Sequence, residues 1–319
     1  MLNNIGNSLL EKGINWKFPD SYGLCERNLD CRQLSIKEIL GLKGETKLIR
    51  VFLNAFDCKS NDILLRRKEP ILGKGWSLKK YDYPDVNSFK KGIEEVYGEN
   101  GYSLIYFDTL NVSITEYYKL HDVIHWSLVV KISNDCVNII DDIGIRKYFQ
   151  RNVGTIPAKI FFNSLKESDT IGTSYLECTN PINSWEEDFE KLLRESVENM
   201  LYYGGIDSLE QFILSVGKTP REKLVSRLEQ LEFDINYYRK LRELWKLAVI
   251  QKEVPKSFFH SEWVEELWTI CNLWSLVLGI LMKWKRQSDR DYKDKLNYNL
   301  EKVLLHEYKF YNNLRHMIC

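Results

Sequence analysis

The chain has no excess of charge of either sign. Its 45 Lys and Arg stand against 45 Asp and Glu, so no basic surplus advertises a nucleic-acid partner. No Cys-x-x-Cys pair occurs among the seven cysteines, which argues against a structural zinc site. Their odd number and loose spacing do not make a disulfide framework. The opening MLNNIGNSLLEKG lacks the basic start and apolar run of a signal peptide. Reduced thiols and no targeting segment set the expectation of a cytoplasmic protein. One largely apolar stretch, Leu267 to Met282 (LWTICNLWSLVLGILM), falls short of the ~20 residues that a membrane span needs. It contains Thr269, Asn272 and Ser275, and Glu265, Glu266 and Lys283 flank it. It therefore reads as a core helix of a bundle, with no membrane partner. Gly73-Lys74-Gly75 lacks the Gly-Lys-Ser/Thr frame of a phosphate loop, and no internal repeat or low-complexity linker is present.

What is present changes character near residue 165. Before it, short runs of strand length and β-branched or aromatic content alternate with Gly, Pro, Asn and Asp. LIRVFL, YSLIYFD, WSLVVKI and CVNIID are the candidate strands, and Ser133-Asn134-Asp135 suits a hairpin loop between the last two. Helices are expected from Leu34 to Leu42 and from Val86 to Tyr97, the second capped by Asn87 or Ser88. This half predicts an α+β domain with a helix on an antiparallel sheet. After Asn180-Pro181 the texture is helical. SWEEDFEKLLRESVENMLYYGG opens on a capping box, Ser184 to Glu187, and closes on Gly204-Gly205. Further helices are expected from Asp207-Ser208 to Val216, after Thr219-Pro220, from Glu262 to Trp284 and from Asp291 to the C-terminus. The expected domains are 1–165 and an all-helical 166–319.

Three segments offer chemistry. In DCRQLSIKEILGLKG, Cys31 stands at the start of a helical pattern, where the positive end of the helix stabilises a thiolate and so favours a nucleophile. Packing is the plain alternative, since cysteine is among the most buried residue types. In YYKLHDVIHWSLVVKI, His121 and His125 have HxxxH spacing, but Asp122 stands where the zincin motif needs Glu, and the WSLVVKI strand that follows spoils the helix. His125 opens one strand and Asp141 ends the next. An antiparallel hairpin sets those two positions side by side, as a base and its orienting carboxylate must be. If the strand continues that far, alternation turns Asp142 to the opposite face. Cys25 is the rival nucleophile, without the immediate helical periodicity of Cys31. Arg66-Arg67-Lys68 reads as a solvated charge run, or as a contact for a carrier protein. The nine tryptophans read as core.

Cysteine at a helix start, then histidine at a strand start, then aspartate at the next strand's end is the order of papain-like enzymes. DCRQLSIKEILGLKG resembles the nucleophile segment of the C39-type papain-like peptidases, with Cys31, Ile36, Ile39, Leu40, Gly41 and Gly44 on matching positions. Across most of its length the chain is more similar to the butirosin-biosynthesis acyltransferase family. YSLIYFDTLNVSITEYYKLHDVIHWSLVVKISNDCVNIIDD resembles that family's core segment, and MLYYGGIDSLEQFI its helical-domain segment. A more distant resemblance is to the papain-like amide synthases of closthioamide assembly. C39-type enzymes carry glutamine upstream of the cysteine for the oxyanion, where this chain has Glu26. Gln33, Asn28 or backbone N–H groups would have to serve instead.

The resemblance implies a papain-like cysteine-protease fold joined to a helical domain that covers the cleft and keeps water out. The implied activity is acyl transfer from a thioester, carried on the phosphopantetheine of an acyl or peptidyl carrier protein, to a small amine. Cys31 would be the nucleophile, His125 the base and Asp141 the residue that fixes its tautomer. No metal, nucleotide or other cofactor is expected, because the thioester arrives activated. The alternatives are a cytoplasmic cysteine peptidase and a catalytically dead module that binds a carrier protein, the latter favoured by Glu26.

Overall fold

The computed structural model describes residues 5–66, 69–179 and 183–318. It divides into two compact units, Met1–Val51 with Lys74–Asn180, and Phe52–Gly73 with Pro181–Cys319. The division departs from a boundary at 165 in two ways. A strand beyond 165 belongs to the first unit's sheet, and residues 52–73 leave the first half of the sequence for the second unit. Arg67 and Lys68 of the charge run, and the Asn180-Pro181 junction, lie outside the described residues.

In chain order the elements before the sheet are helices α1 (Ile5–Lys12), α2 (Cys31–Leu42) and α3 (Leu48–Phe52), then a ribbon of β1 (Lys59–Asn61) and β2 (Leu64–Arg66). LIRVFL is thus α3 and no strand. Its Leu48, Ile49, Val51, Phe52 and Leu53 are all buried, and a continuous apolar run does not distinguish a buried helix turn from a buried strand. Next come β3 (Trp76–Asp82), α4 (Val86–Asn100), β4 (Ser103–Asp108), β5 (Ile124–Ile132), β6 (Cys136–Ile140), β7 (Phe149–Gln150), β8 (Val153–Pro157), α5 (Ala158–Ser164) and β9 (Ile171–Cys178). Strands β3 to β9 form one antiparallel sheet in the order β3-β9-β4-β5-β6-β8-β7.

Side-chain alternation gives this sheet two packed faces. Ile105, Phe107, Val129 and Ile139 point to one face, where they form a core with Phe89 and Ile93 of α4 and Phe161 of α5. α1 and α2 lie against β5, and Arg32 of α2 sits 5.5 Å from the ring of Trp126. Because Trp126 is early in β5, this contact puts the N-terminus of α2 at the strand's start. α2 is buried from Arg32 to Leu40, polar residues included. Lys37 makes this possible by pairing with Asp20 at 3.0 Å and Glu38 at 2.8 Å. α4 begins as expected, but its cap is Asp85, whose carboxylate accepts the N–H groups of Asn87 and Ser88.

The second unit is helical from residue 183 onward among the described residues. Its helices are α6 (Trp185–Val197), α7 (Gly205–Lys218), α8 (Arg221–Val225), α9 (Leu228–Ile250), α10 (Ser261–Arg286) and α11 (Lys293–Ile318). The capping box at Ser184 and Glu187 is formed. Gly204, at φ +78°, separates α6 and its terminal π-turn from α7. The unit is not all helix, because the β1–β2 ribbon packs on α7 and α9. There Asp234 accepts the N–H of Leu65 at 3.0 Å, and Tyr238 donates to the carbonyl of Arg66 at 2.8 Å.

α10 is long and apolar enough to cross a membrane by length and composition. Here it packs between α9 and α11 with Trp263, Leu267, Ile270, Trp274, Val277 and Trp284 buried. Among these helices Arg242 and Glu307 form a bidentate pair at 2.9 and 3.1 Å, and Trp274 donates to the same carboxylate at 2.6 Å. Breaking so buried a pair costs about 3–5 kcal/mol, because one charge is left unmatched.

Candidate active site

The first turn of α2 is set by Asp30, whose side chain accepts the N–H of Gln33 at 2.8 Å while Gln33 Oε1 accepts the N–H of Asp30 at 3.1 Å. This capping box starts the helix at Cys31, three residues before the expected Leu34, and makes Cys31 its first residue. First-turn N–H groups have no acceptor within the helix. The box satisfies those of Asp30 and Gln33, so the N–H of Cys31 remains at the positive end of the helix. Cys31 is half-buried, with a path to solvent, whereas Cys25 is buried.

His125 is the second residue of β5, opposite Phe107 on β4, and the rings of Phe107 and Tyr117 approach it edge-on at 5.7 and 6.5 Å. The β5–β6 register pairs Leu128 with Ile140. One step further along, Asp141 comes opposite Ser127, two residues beyond His125 on the same face. Asp141 Oδ2 lies 3.0 Å from His125 Nε2 and also accepts the hydroxyl of Ser127. Its Oδ1 accepts the N–H of Ile143 at 2.6 Å, an Asx turn that ends the strand.

These neighbours set the charges. Burial would lower His125, but the charges of Asp141 and Cys31 and hydrogen bonds to both outweigh it and raise the imidazole well above 6.5. Burial would raise Asp141. His125, through charge and hydrogen bond, then Ser127 and the N–H of Ile143, bring it below 3.8 instead. An ionised carboxylate only accepts, so Nε2 carries a proton and donates it to Asp141. Nδ1 is then the ring nitrogen that Asp141 does not engage. The structure thus brings His125 and Asp141 together, and Cys31 lies near enough for its charge to act on the imidazole.

Other candidates are placed elsewhere. Cys25 donates its N–H to Asn28 Oδ1 at 2.9 Å, and its carbonyl accepts the N–H groups of Asn28 and Leu29, so it serves a buried turn. Asn28 spends its amide on the carbonyl of Gly23 at 3.0 Å and so lies in that turn with both polar ends engaged. Gln33 has its oxygen in the capping box. His121 precedes β5 in a turn, its ring 4.7 Å from that of Tyr117, so the two histidines do not share a helix. Lys74 pairs with Glu45 at 2.8 Å, a fixed turn and no phosphate cradle.

Asp142 differs from expectation. β6 ends at Ile140, so strand alternation no longer governs the next two residues, and Asp142 Oδ1 lies 3.6 Å from His125 Nε2. His125, Asp141 and Asp142 could each offer a cation one ligand atom within 4.8 Å of the others. Both oxygens of Asp141 already accept hydrogen bonds, which describes an orienting carboxylate better than an open ligand set.

Sequence reasoning did not single out Ser127 or Asn152. Ser127 was findable, since period-2 alternation puts it on the face of His125. Asn152 follows the tight turn at Arg151, where φ is +59°. It binds Asp141 twice, donating its side-chain amide to the carbonyl at 3.1 Å and accepting the N–H with its own carbonyl at 2.8 Å.

Compared with known proteins, the chain matches no protein-family model and no curated protein.

Proposed function

We propose that the first unit is a papain-like domain and that the chain is a cysteine-dependent acyltransferase that makes amides. What carries the reading is the buried His125–Asp141 pair, which leaves one ring nitrogen to a cysteine at a helix N-terminus. Cys31, as thiolate, attacks the carbonyl of a thioester held on a carrier protein's phosphopantetheine arm. The new carbon–sulfur bond forms, the pantetheine carbon–sulfur bond breaks, and His125 returns a proton to the departing thiolate. An amine then attacks the acyl-cysteine, Nδ1 takes the amine's proton, and Cys31 leaves as thiolate. Asp141 keeps the proton on Nε2 and stabilises the imidazolium in both halves. With Asn28 engaged elsewhere and Glu26 unsuited to an anion, the oxyanion's donor is the N–H of Cys31 at the helix start.

The test is intact-protein mass spectrometry after incubation with an acyl-pantetheine. The reading expects one acyl adduct, absent from Cys31→Ala and discharged by an added amine as the amide. Discharge to the free acid alone, with cleavage of peptides, would identify a peptidase. No adduct on the wild type would leave a binding module.

A further inference from the structure

We propose that Asn152 and Trp16 are positioning residues that brace the helix carrying Cys31 against the strand end carrying Asp141. The proposal rests on the reading of Cys31, His125 and Asp141 as one reactive site. Its basis is a chain of buried hydrogen bonds running from one side of the site to the other. Asn152 Nδ2 holds the carbonyl of Asp141 at 3.1 Å, and Asn152 Oδ1 accepts the N–H of Trp16 at 3.0 Å. The indole N–H of Trp16 donates to Glu38 Oε1 at 3.1 Å, and Glu38 is on α2. The carbonyl of Trp16 accepts the N–H of Glu26 at 3.0 Å, which ties down the segment leading to Cys31. Trp16, Glu38, Asn152 and Asp141 are all buried, so each bond is one whose loss leaves a dry, unpaired group.

The placement along α2 explains why these bonds matter to the thiol. Glu38 is seven residues after Cys31, about two turns and roughly 10 Å further along the axis, so both lie near one line on the helix. The capping box and Arg32 hold the N-terminal end, and Trp16 holds the helix two turns on. A helix fixed at two points cannot slide or rotate against the sheet. The His125–Cys31 contact depends on that fixity, because a shift of about 1 Å between reacting groups can cost about a hundredfold in rate. Glu38 suits the task as an acceptor. Lys37 lies 2.8 Å from it and Lys12 3.7 Å, so the indole donates into an ion-paired carboxylate.

The experiment follows alkylation of Cys31 by iodoacetamide, resolved by peptide mass spectrometry, across pH, together with thermal melting. Trp16→Phe keeps the aromatic volume and removes only the link to Glu38. Asn152→Ala removes the side-chain links to the Asp141 carbonyl and the Trp16 N–H while keeping the backbone bond to Asp141, and Glu38→Gln retains an acceptor. At neutral pH the wild type reacts faster than an isolated thiol. Trp16→Phe and Asn152→Ala react about tenfold more slowly there, approach the wild type in alkaline buffer, and Glu38→Gln stays near the wild type. Lower melting temperatures with an unchanged pH profile in the first two variants would overturn the brace and leave the site reading intact. A wild type that reacts like an isolated thiol would overturn both.

Discussion

Asp141 holds His125 Nε2 at 3.0 Å, and this contact leaves Nδ1 as the ring nitrogen that the carboxylate does not engage. The ring is fixed in tautomer and in direction by one carboxylate, itself fixed by a hydroxyl and a backbone N–H. On the proposed reading, each donor to Asp141 acts on the thiol at one remove. The expectations that follow separate this arrangement from a histidine that is merely buried.

Cys31→Ala should abolish acyl transfer and leave the melting temperature close to the wild type, because Cys31 is only half-buried. Cys25→Ala should do the reverse. Its side chain is buried, so the substitution costs on the order of 1 kcal/mol of stability, while transfer persists. Turnover and thermal melts of the two variants check this. Loss of turnover in Cys25→Ala with the fold intact would reverse the assignment.

Ser127→Ala removes one of the donors to Asp141. A hydrogen bond to a charged group is worth about 1.5–3 kcal/mol, so transfer should fall roughly ten- to a hundredfold while Cys31 still acylates. Ser127→Thr keeps the hydroxyl, and position 127 borders a small cavity lined also by Ile114, Ile139 and Phe161. It should recover most of the rate. Equal defects in both variants would mean that Ser127 matters through packing rather than through its hydroxyl.

Much of this was legible because local chemistry and tertiary packing agree. The helical pattern after Cys31 was legible although its cap at Asp30 set the start three residues before Leu34, and the Ser133-Asn134-Asp135 break pairs WSLVVKI with CVNIID without help from the rest of the fold. That pairing alone puts His125 beside Asp141. The illegible parts depend on contacts distant in sequence. LIRVFL has strand-like composition but is buried as a helix, and Asp142 approaches His125 because β6 stops one residue before Asp141. Trp16 and Asn152 are 136 residues apart, and no spacing rule joins them. The papain-like resemblance orders Cys31, His125 and Asp141 as a proposed site; the bond from Trp16 to Glu38 of α2 is visible only in the folded chain.

The His125–Asp141 pair also predicts how stability varies with pH. A histidine raised above 6.5 on folding stabilises the fold fully below 6.5, and that stabilisation disappears as pH rises through the raised value. A carboxylate lowered from 3.8 stabilises fully above 3.8, and its contribution disappears as pH falls through the lowered value. The pair's joint contribution is therefore greatest between about 4 and 6.5. Urea midpoints for the wild type minus those for His125→Gln should peak in that window and shrink on both sides. A difference that grows steadily toward alkaline pH would contradict a raised histidine.

Asp141 and Asp142 both face His125 Nε2, at 3.0 and 3.6 Å, so distance alone does not rank them strongly. Burial and hydrogen bonding do. Asp141 is 4% exposed and accepts from His125, Ser127 and Ile143, whereas Asp142 is 27% exposed. An ion pair reached by solvent is worth about 0–1 kcal/mol, so Asp142→Asn should lower the rate by no more than about fivefold. Asp141→Asn presents an amide to a ring that must keep its proton on Nε2. The same exchange in the serine-protease triad costs about 10⁴ through the wrong tautomer, and a comparable loss is expected here. Acylation and amide formation, timed separately by rapid-quench mass spectrometry, should both slow, because the imidazolium forms in each half-reaction. The ¹⁵N shifts of His125, read at a pH high enough that the ring carries one proton, give an independent check, moving that proton from Nε2 to Nδ1 in Asp141→Asn and leaving it in place in Asp142→Asn. If Asp142→Asn is the variant that moves the proton, Asp142 is the orienting carboxylate and Asp141 a structural turn.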